Sequence, residues 1–170
     1  FGHGDIRKFG SGNIGATNVL RKSGKKLGLI TLIIDFLKGF ICCGSMSLVL
    51  DLNHRIFNLN FDYEYMLVGS AVILGHIFSP WLKFKGGKGV ATALGVIAAI
   101  LIQAADNIAY WSVLIIFSVW FFVFLYSQYV ALASVFSLLS VVIISFFFFD
   151  NFFIFFVLIF ILIAYKHKDN

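Results

Sequence analysis

The sequence has little charge for its 170 residues, and it has few cysteines. Charged residues make up 12% of the chain, against roughly a quarter of a typical soluble domain. Hydrophobic residues make up 61%, and the mean hydropathy is +0.98. Such a chain cannot cover itself with a water-facing surface. The shortage of charge therefore excludes an ordinary soluble protein and predicts one whose solvent is mainly lipid.

The two cysteines, Cys42 and Cys43, are adjacent in the chain. Neighbouring residues do not form an ordinary disulfide, and metal ligation would need partners that no spacing such as H-E-x-x-H supplies. We interpret both as small apolar side chains inside a helix. We expect neither a metal site nor a cofactor.

Six apolar segments follow one another, separated by short polar breaks: 27–50, 65–82, 90–105, 108–126, 130–149 and 152–165. They are too uniformly apolar for the strands of a membrane barrel, in which lipid-facing and lumen-facing residues alternate. The last segment is short, because it rises about 21 Å against a hydrocarbon core of about 30 Å. It therefore includes neighbours such as Asp150 and Lys166, or it is an incomplete span. We predict an all-α, polytopic transmembrane bundle with six spans.

Lysine and arginine segregate when these spans are threaded alternately across a membrane. One side collects Arg7, Lys8, Arg21, Lys22, Lys25, Lys26, Lys83, Lys85, Lys88, Lys166 and Lys168. The other side has only Arg55, together with the acids Asp51, Asp62, Glu64, Asp106 and Asp150. Cytoplasmic loops carry the excess of cations, so the first side is predicted to be cytoplasmic. The net charge of +5 thus reflects loop topology, and we expect no nucleic-acid partner.

A first polar island, residues 5–21, contains GSGNIGATN, whose Gly10, Gly12 and Gly15 have the G-x-G-x-x-G spacing of a dinucleotide site. No strand precedes them, and the acid at the expected distance, Asp35, lies inside a predicted span, which disfavours that reading. Glycines still let backbone N–H groups converge on an anion. Further polar groups are supplied by Ser11, Asn13, Thr17, Asn18 and Arg21. The alternative is a glycine-rich turn beside an ordinary cationic loop.

A second polar island, residues 75–92, reads GHIFSPWLKFKGGKGVAT. It lacks the Walker A pattern. Gly86, Gly87, Lys88 and Gly89 nevertheless precede a helix predicted to start at Val90, which offers free N–H groups, a positive helix end and a cation to an anion. Other candidates are Lys85, Thr92, and His76 with Ser79, which we expect on one helix face. The alternative is a bare connecting turn.

A third polar island, residues 165–170, follows the last span and contains His167 and Asn170. A charged stop after the last span is the alternative. Asp35 and Lys38 are three residues apart and about 12 Å into the first span. Ionised groups at such depth pair with each other or face the bundle interior, so we interpret them as a structural or pocket-wall pair.

These stretches together resemble the bacterial acyl-phosphate:glycerol-3-phosphate acyltransferase family of integral membrane enzymes. The matching segments are DIRKFGSGNIGATNVLR at 5–21, DFLKG at 35–39, the whole second island, and the start of an HxxN motif at His167 to Asn170. The resemblance covers nearly all of the chain and implies one acyltransferase domain over residues 1–170. It also implies a helix before residue 1 and a tail after residue 170, giving about seven spans in the full protein.

The resemblance implies transfer of a fatty acyl group from acyl phosphate to glycerol 3-phosphate, giving lysophosphatidic acid and phosphate, the first acylation of phospholipid synthesis. We expect catalytic roles for Ser11, Arg21, Lys88, His167 and Asn170. We expect substrate contacts from Gly10, Gly12, Asn13, Thr17, Asn18, His76, Ser79, Lys85, Gly86, Gly87, Gly89 and Thr92. The expected location is the bacterial inner membrane, with the active site facing the cytoplasm and membrane lipid around it. An acyl-phosphate-forming enzyme is an expected upstream partner.

A polytopic transporter of anions or phosphate esters is the competing hypothesis. Its buried polar islands and glycine-broken helices would line a pathway open to both sides. All three islands share one predicted side of the membrane, which favours the enzyme. A non-catalytic scaffold leaves the loop glycines unexplained.

Overall fold

A computed structural model of the chain describes residues 4–46, 61–104 and 107–168. Over this range the protein is all-helical, which confirms the predicted fold class. The helices are α1 (Ala16–Ser23), α2 (Lys25–Gly44), α3 (Phe61–Ile77), α4 (Val90–Ala104), α5 (Asn107–Ser127), α6 (Val130–Phe148) and α7 (Asp150–His167). Two short 3-10 turns, Ile6–Lys8 and Pro80–Leu82, lie in the polar islands.

Each predicted apolar segment corresponds to a helix. Among the described residues, five helical stretches are long and apolar enough to cross a bilayer, and α4 is a shorter apolar helix. The last segment takes in its neighbours, as the first of the two predicted alternatives has it, because α7 includes Asp150 at one end and Lys166 and His167 at the other. Outside the described residues lie 47–50 and 105 of the predicted segments, together with Asp51, Arg55 and Asp106.

The side chains are distributed as lipid solvation requires. Large apolar residues such as Phe122 and Leu158 are more than half exposed, whereas several serines are buried between helices. The hydroxyl of Ser137 in α6 donates to the carbonyl of Ile116 in α5 at 3.1 Å. Small residues and hydroxyls at helix contacts, with apolar residues outward, are typical of packing in membranes.

Helices α2 and α4 cross at very short range because both present glycines. A Cβ on Gly39 would lie 2.2 Å from the carbonyl oxygen of Thr92, and one on Gly95 would lie 2.1 Å from the carbonyl oxygen of Phe36. Gly44, further along α2, lies beside Ala99, further along α4, so the two helices run parallel. By the pairing of Gly44 with Ala99, helix α4 begins about level with residue 35 of α2.

Helix α1 folds back along the first half of α2. The turn is Gly24, whose φ of +86° is readily adopted only by glycine. Leu20 packs against Gly28, each four residues from the turn, and a Cβ on Gly28 would lie 2.7 Å from the Leu20 Cβ. By the same pairing, the start of α1 at Ala16 is level with about residue 32 of α2. The start of α1 and the start of α4 are thus about 5 Å apart along the α2 axis.

Candidate functional site

The first island is organised around the buried side chain of Asn18, which is 2% exposed. Its Nδ2 donates to the carbonyls of Ile6, Phe9 and Asn13 at 3.3, 2.9 and 2.8 Å. Its Oδ1 accepts from the backbone N–H of Ser11 at 3.3 Å. Both ends of the amide are thus occupied by the loop, so Asn18 shapes the loop from within.

Other contacts tie the two ends of this island together. The Arg7 guanidinium holds the Asp5 carboxylate through Nε and Nη2, and these hydrogen bonds lower the pKa of Asp5 to about 2. Lys22 donates from Nζ to the carbonyl of Asp5 at 3.0 Å. Asn13 accepts the N–H of Gly15 at 2.8 Å, which turns the chain into α1. The loop is therefore fixed before any ligand binds.

Ser11 and Arg21 lie on the outside of this fixed loop. Both residues are exposed, and neither side chain has a hydrogen-bond or ion-pair partner among the described residues. Arg21 is in the last turn of α1, while Thr17 is half-buried in its first turn. Gly10 and Gly12 have φ of +56° and +68°, so the loop depends on glycine at these positions. The serine hydroxyl and the guanidinium are the groups of this island that a phosphate could reach.

The second island differs from the sequence prediction at Ser79. Helix α3 ends at Ile77, and Ser79 has φ −56° and ψ 119°, so the prediction that His76 and Ser79 share a helix face is wrong. Pro80 is the physical reason, because the residue before a proline is disfavoured in the helical region. The carbonyl of Ser79 instead accepts N–H groups of Leu82 and Phe84 and closes a compact turn.

The prediction of free N–H groups at Gly86 and Gly87 is also wrong. The N–H of Gly86 donates to the carbonyl of Ile77 at 3.0 Å, and the N–H of Gly87 donates to that of His76 at 3.2 Å. These glycines cap the end of α3, because the carbonyls of a helix's last turn have no helical partners. The N–H groups that remain for an anion belong to the first turn of α4.

The start of α4 nevertheless has the predicted form. The helix begins at Val90, directly after Gly89, whose φ is +88°. Lys88 is half-buried beside it, and Lys85 is exposed. Thr92 is fully buried at the crossing with α2, and its hydroxyl has no hydrogen-bond partner among the described residues. It packs against α2 at Gly39, and its contact with substrate stays a prediction.

The third island meets the second at the end of α7. His167 interacts electrostatically with Lys88, and Lys166 places its Nζ 4.5 Å from the centroid of the Phe78 ring. His167 Nδ1 is 2.8 Å from the carbonyl of Ile163. A carbonyl only accepts, so Nδ1 carries the proton and Nε2 has the free lone pair. Asn170 lies outside the described residues.

A further cluster joins two spans beneath the second island. Lys38 Nζ is 2.7 Å from Asp35 Oδ1 and also contacts His76 Nδ1. Sequence reasoning identified the Asp35 and Lys38 pair from its spacing but missed His76 as its partner, since contacts between distant helices leave no local signal. Within the described part of the chain, no group of three His, Cys, Asp or Glu residues could hold a metal ion.

Comparisons with known proteins agree with this architecture. The sequence profile of the glycerol-3-phosphate acyltransferase family matches residues 1–170. A protein of Aquifex aeolicus (strain VF5) named glycerol-3-phosphate acyltransferase is 39% identical over 168 residues, which are 98% of this chain and 79% of that protein.

Two solved structures have the same fold. One is the crystal structure of PlsY (YgiH), an integral membrane glycerol 3-phosphate acyltransferase, in its glycerol 3-phosphate form. It has a TM-score of 0.78 and 38% identity, and the match covers 98% of this chain and 76% of that one. The lysophosphatidic acid form has a TM-score of 0.74 and 37% identity, covering 94% and 74%. Because the family match runs along the entire length, this chain belongs to the glycerol-3-phosphate acyltransferase family of integral membrane proteins.

Proposed function

We propose that this chain transfers a fatty acyl group from acyl phosphate to a hydroxyl of glycerol 3-phosphate, giving lysophosphatidic acid and phosphate. The crystal forms of its relative, named for glycerol 3-phosphate and lysophosphatidic acid, support the acceptor and the product. The observation that carries the proposal is the contact between the second and third islands, where Lys166 Nζ lies 4.5 Å from the centroid of the Phe78 ring. This contact brings Lys88, in the glycine loop of residues 86–89, towards His167 at the end of α7. The first offers a cation to a phosphate, and the second offers a lone pair to a proton.

The two substrates are both anionic, so the site must offset the repulsion between them. Arg21 supplies a planar guanidinium that can hold two phosphate oxygens at once. On the other side, Lys88 and the positive end of α4 hold the phosphate of glycerol 3-phosphate. Preorganised cations and dipoles of this kind stabilise developing charge without moving during the reaction. Ser11 donates a hydrogen bond to a phosphate or to the acyl carbonyl.

The reaction is a direct attack. The hydroxyl oxygen of glycerol 3-phosphate forms an ester bond with the carbonyl carbon of acyl phosphate. The bond from that carbon to the bridging oxygen breaks, and phosphate leaves with the electron pair. The hydroxyl proton passes to Nε2 of His167. The leaving group of an acyl phosphate is already good, so positioning and charge neutralisation are the main requirements. An acyl group trapped on Ser11 would contradict this order of events.

The proposed site faces the cytoplasm from the bacterial inner membrane. This orientation follows from the positive-inside rule, because the cations of the first and second islands lie on one predicted side. The acyl chain of the donor stays in lipid beside the apolar helices while its phosphate meets the first island. An enzyme that forms acyl phosphate supplies the donor. Residues 1–170 act as one acyltransferase domain.

The test is an assay of the purified chain reconstituted in lipid vesicles with acyl phosphate and glycerol 3-phosphate. We expect phosphate release together with formation of lysophosphatidic acid. Replacing Arg21 by alanine should lower the rate by about 100-fold, the cost of removing one charged donor from an anionic transition state. Lys26→Ala is the matched control, because Lys26 is an equally exposed cation five residues further on.

The transporter hypothesis predicts a different result in the same vesicles. It requires uptake of glycerol 3-phosphate without release of phosphate from the donor. Uptake without release would contradict the proposed function, and so would equal losses of activity in the Arg21 and Lys26 variants.

A further inference from the structure

Three ionisable side chains form a cluster where α2 meets α3, in which the side chain of Lys38 is 35% exposed. Asp35 and His76 are 14% and 5% exposed in their side chains, and His76 Nδ1 is 3.5 Å from Asp35 Oδ1. Lys38 contacts both of them. Neither the glycine loop nor the third island contains Asp35 or Lys38, and the mechanism above does not use the cluster.

The contacts of Lys38 fix the orientation of the imidazole. An ammonium group only donates, so the lone pair that meets it belongs to Nδ1, and the ring proton is on Nε2. In this arrangement Asp35 carries one negative charge, Lys38 one positive charge, and His76 none. A neutral, internally paired group is the form in which ionisable side chains are tolerated inside a membrane bundle.

The other edge of the imidazole supports the glycine loop. A Cβ on Gly87 would lie 2.0 Å from His76 Nε2, and a Cβ on Gly86 would lie 1.9 Å from the His76 carbonyl oxygen. The N–H of Gly87 donates to that same carbonyl. The ring and the backbone of one residue therefore form the surface on which the loop rests, and only glycine fits there.

We propose that Asp35, Lys38 and His76 are positioning residues for the glycine loop. Asp35 and Lys38 on α2 hold the ring of His76 in one orientation. The ring in turn sets the position of Lys88 and of the start of α4 relative to the phosphate of glycerol 3-phosphate. This inference rests on the proposed function, in which that loop binds this phosphate. The side chain of His76 is 5% exposed and lies against Gly87, so its role is exerted through the loop.

The kinetic test compares His76→Ala, His76→Asn and wild type in lipid vesicles. Loss of loop positioning weakens binding of the acceptor in ground and transition states alike, which raises KM and leaves kcat little changed. We expect the KM for glycerol 3-phosphate to rise about tenfold in His76→Ala, equivalent to about 1.4 kcal/mol. The KM for acyl phosphate should stay within about twofold, by the same reasoning.

His76→Asn is the conservative variant, because its amide oxygen takes the place of Nδ1 beside Lys38. It has no atom in the place of Nε2 beside Gly87, so we expect it to recover only part of the affinity for glycerol 3-phosphate. The double variant Asp35→Ala with Lys38→Ala removes the contacts that hold the ring without leaving an unpaired charge, and should raise the KM for glycerol 3-phosphate as His76→Ala does. Gly75→Ala is the control on the same helix, since a Cβ there meets nothing within 4 Å.

Amide hydrogen exchange provides a readout that needs no activity. Exchange at Gly86 and Gly87 should accelerate in His76→Ala and stay unchanged in Gly75→Ala. A folded His76→Ala with unchanged exchange and unchanged KM would overturn the inference. A fall in kcat at constant KM would also overturn it, because the cluster would then act in the chemical step. Absence of acyl transfer in the wild type would defeat the proposed function alone, since the exchange result stands separately.

Discussion

At the residue scale, the first island depends on the inward-facing amide of Asn18 as much as on its outward-facing groups. Ser11 and Arg21 could be selected from the sequence because short hydroxyls and guanidinium groups beside glycines suit a phosphate. The inward direction of the Asn18 side chain could not be predicted, since an asparagine in such a loop can serve as a ligand, as a cap or as an internal brace of the loop. Only the three carbonyls gathered around its Nδ2 identify it as a brace.

The brace can be tested with Asn18→Asp and Asn18→Ala. The aspartate has the same shape but turns an acceptor towards three carbonyls, so it should be at least as damaging as alanine. Leaving buried carbonyls unpaired costs about 1–3 kcal/mol, and thermal unfolding in detergent should show a corresponding loss. Thr31→Ala, which removes a single side-chain hydrogen bond on α2, is the control. Full stability of Asn18→Asp would argue that only the shape of the side chain matters.

At the element scale, the crossing of α2 and α4 sets the position of the second island. The apolar runs were sufficient to predict both helices, because backbone in lipid must satisfy its hydrogen bonds within helices. The contact between them was not predictable, since glycines at Gly39 and Gly95 are equally compatible with exposure to lipid. The predicted segment ended at residue 82, whereas α3 ends at Ile77, although Pro80 indicated an earlier end.

Gly39→Ala should be strongly destabilising. Its Cβ would meet the backbone of Thr92 at 2.2 Å, and the two helices would have to move apart. Overpacking of this kind costs about 1–3 kcal/mol, visible as a lower melting temperature in detergent. Gly75→Ala adds the same methyl group to an open position and should be neutral or slightly stabilising. Equal effects of the two substitutions would contradict the close crossing.

At the scale of the whole molecule, the bundle brings three distant stretches of sequence together. The contacts of α1 and α4 with α2 position the first two stretches, and the end of α7 positions the third. Charge segregation predicted that these stretches share a side of the membrane. It could not predict that Lys88 and His167 interact, because that depends on how α7 returns against the second island. The fold class was thus accessible from composition, whereas the assembly of the site required the packing.

The shared side can be checked by labelling single cysteines in a variant in which Cys42 and Cys43 are alanine. Lys8, Lys83 and Lys168 are exposed, and each lies in one of the three islands. Cysteines at these positions should react with a membrane-impermeant thiol reagent only from the cytoplasmic face of oriented vesicles. A cysteine in place of Asn151, at the other end of α7, should react only from the opposite face. Labelling of the three sites from different faces would contradict the arrangement.

Both ends of the proposed site are positioned by packing contacts with one helix, α2. Helix α1 packs against α2 through Leu20 and Gly28, and α4 packs against α2 through Thr92 and Gly39. One residue added between Gly28 and Gly39 would rotate the contact with α4 relative to the contact with α1 by about 100° and shift it by about 1.5 Å along the helix. Insertions and deletions can therefore accumulate in the connections between spans, but this stretch has no freedom of length.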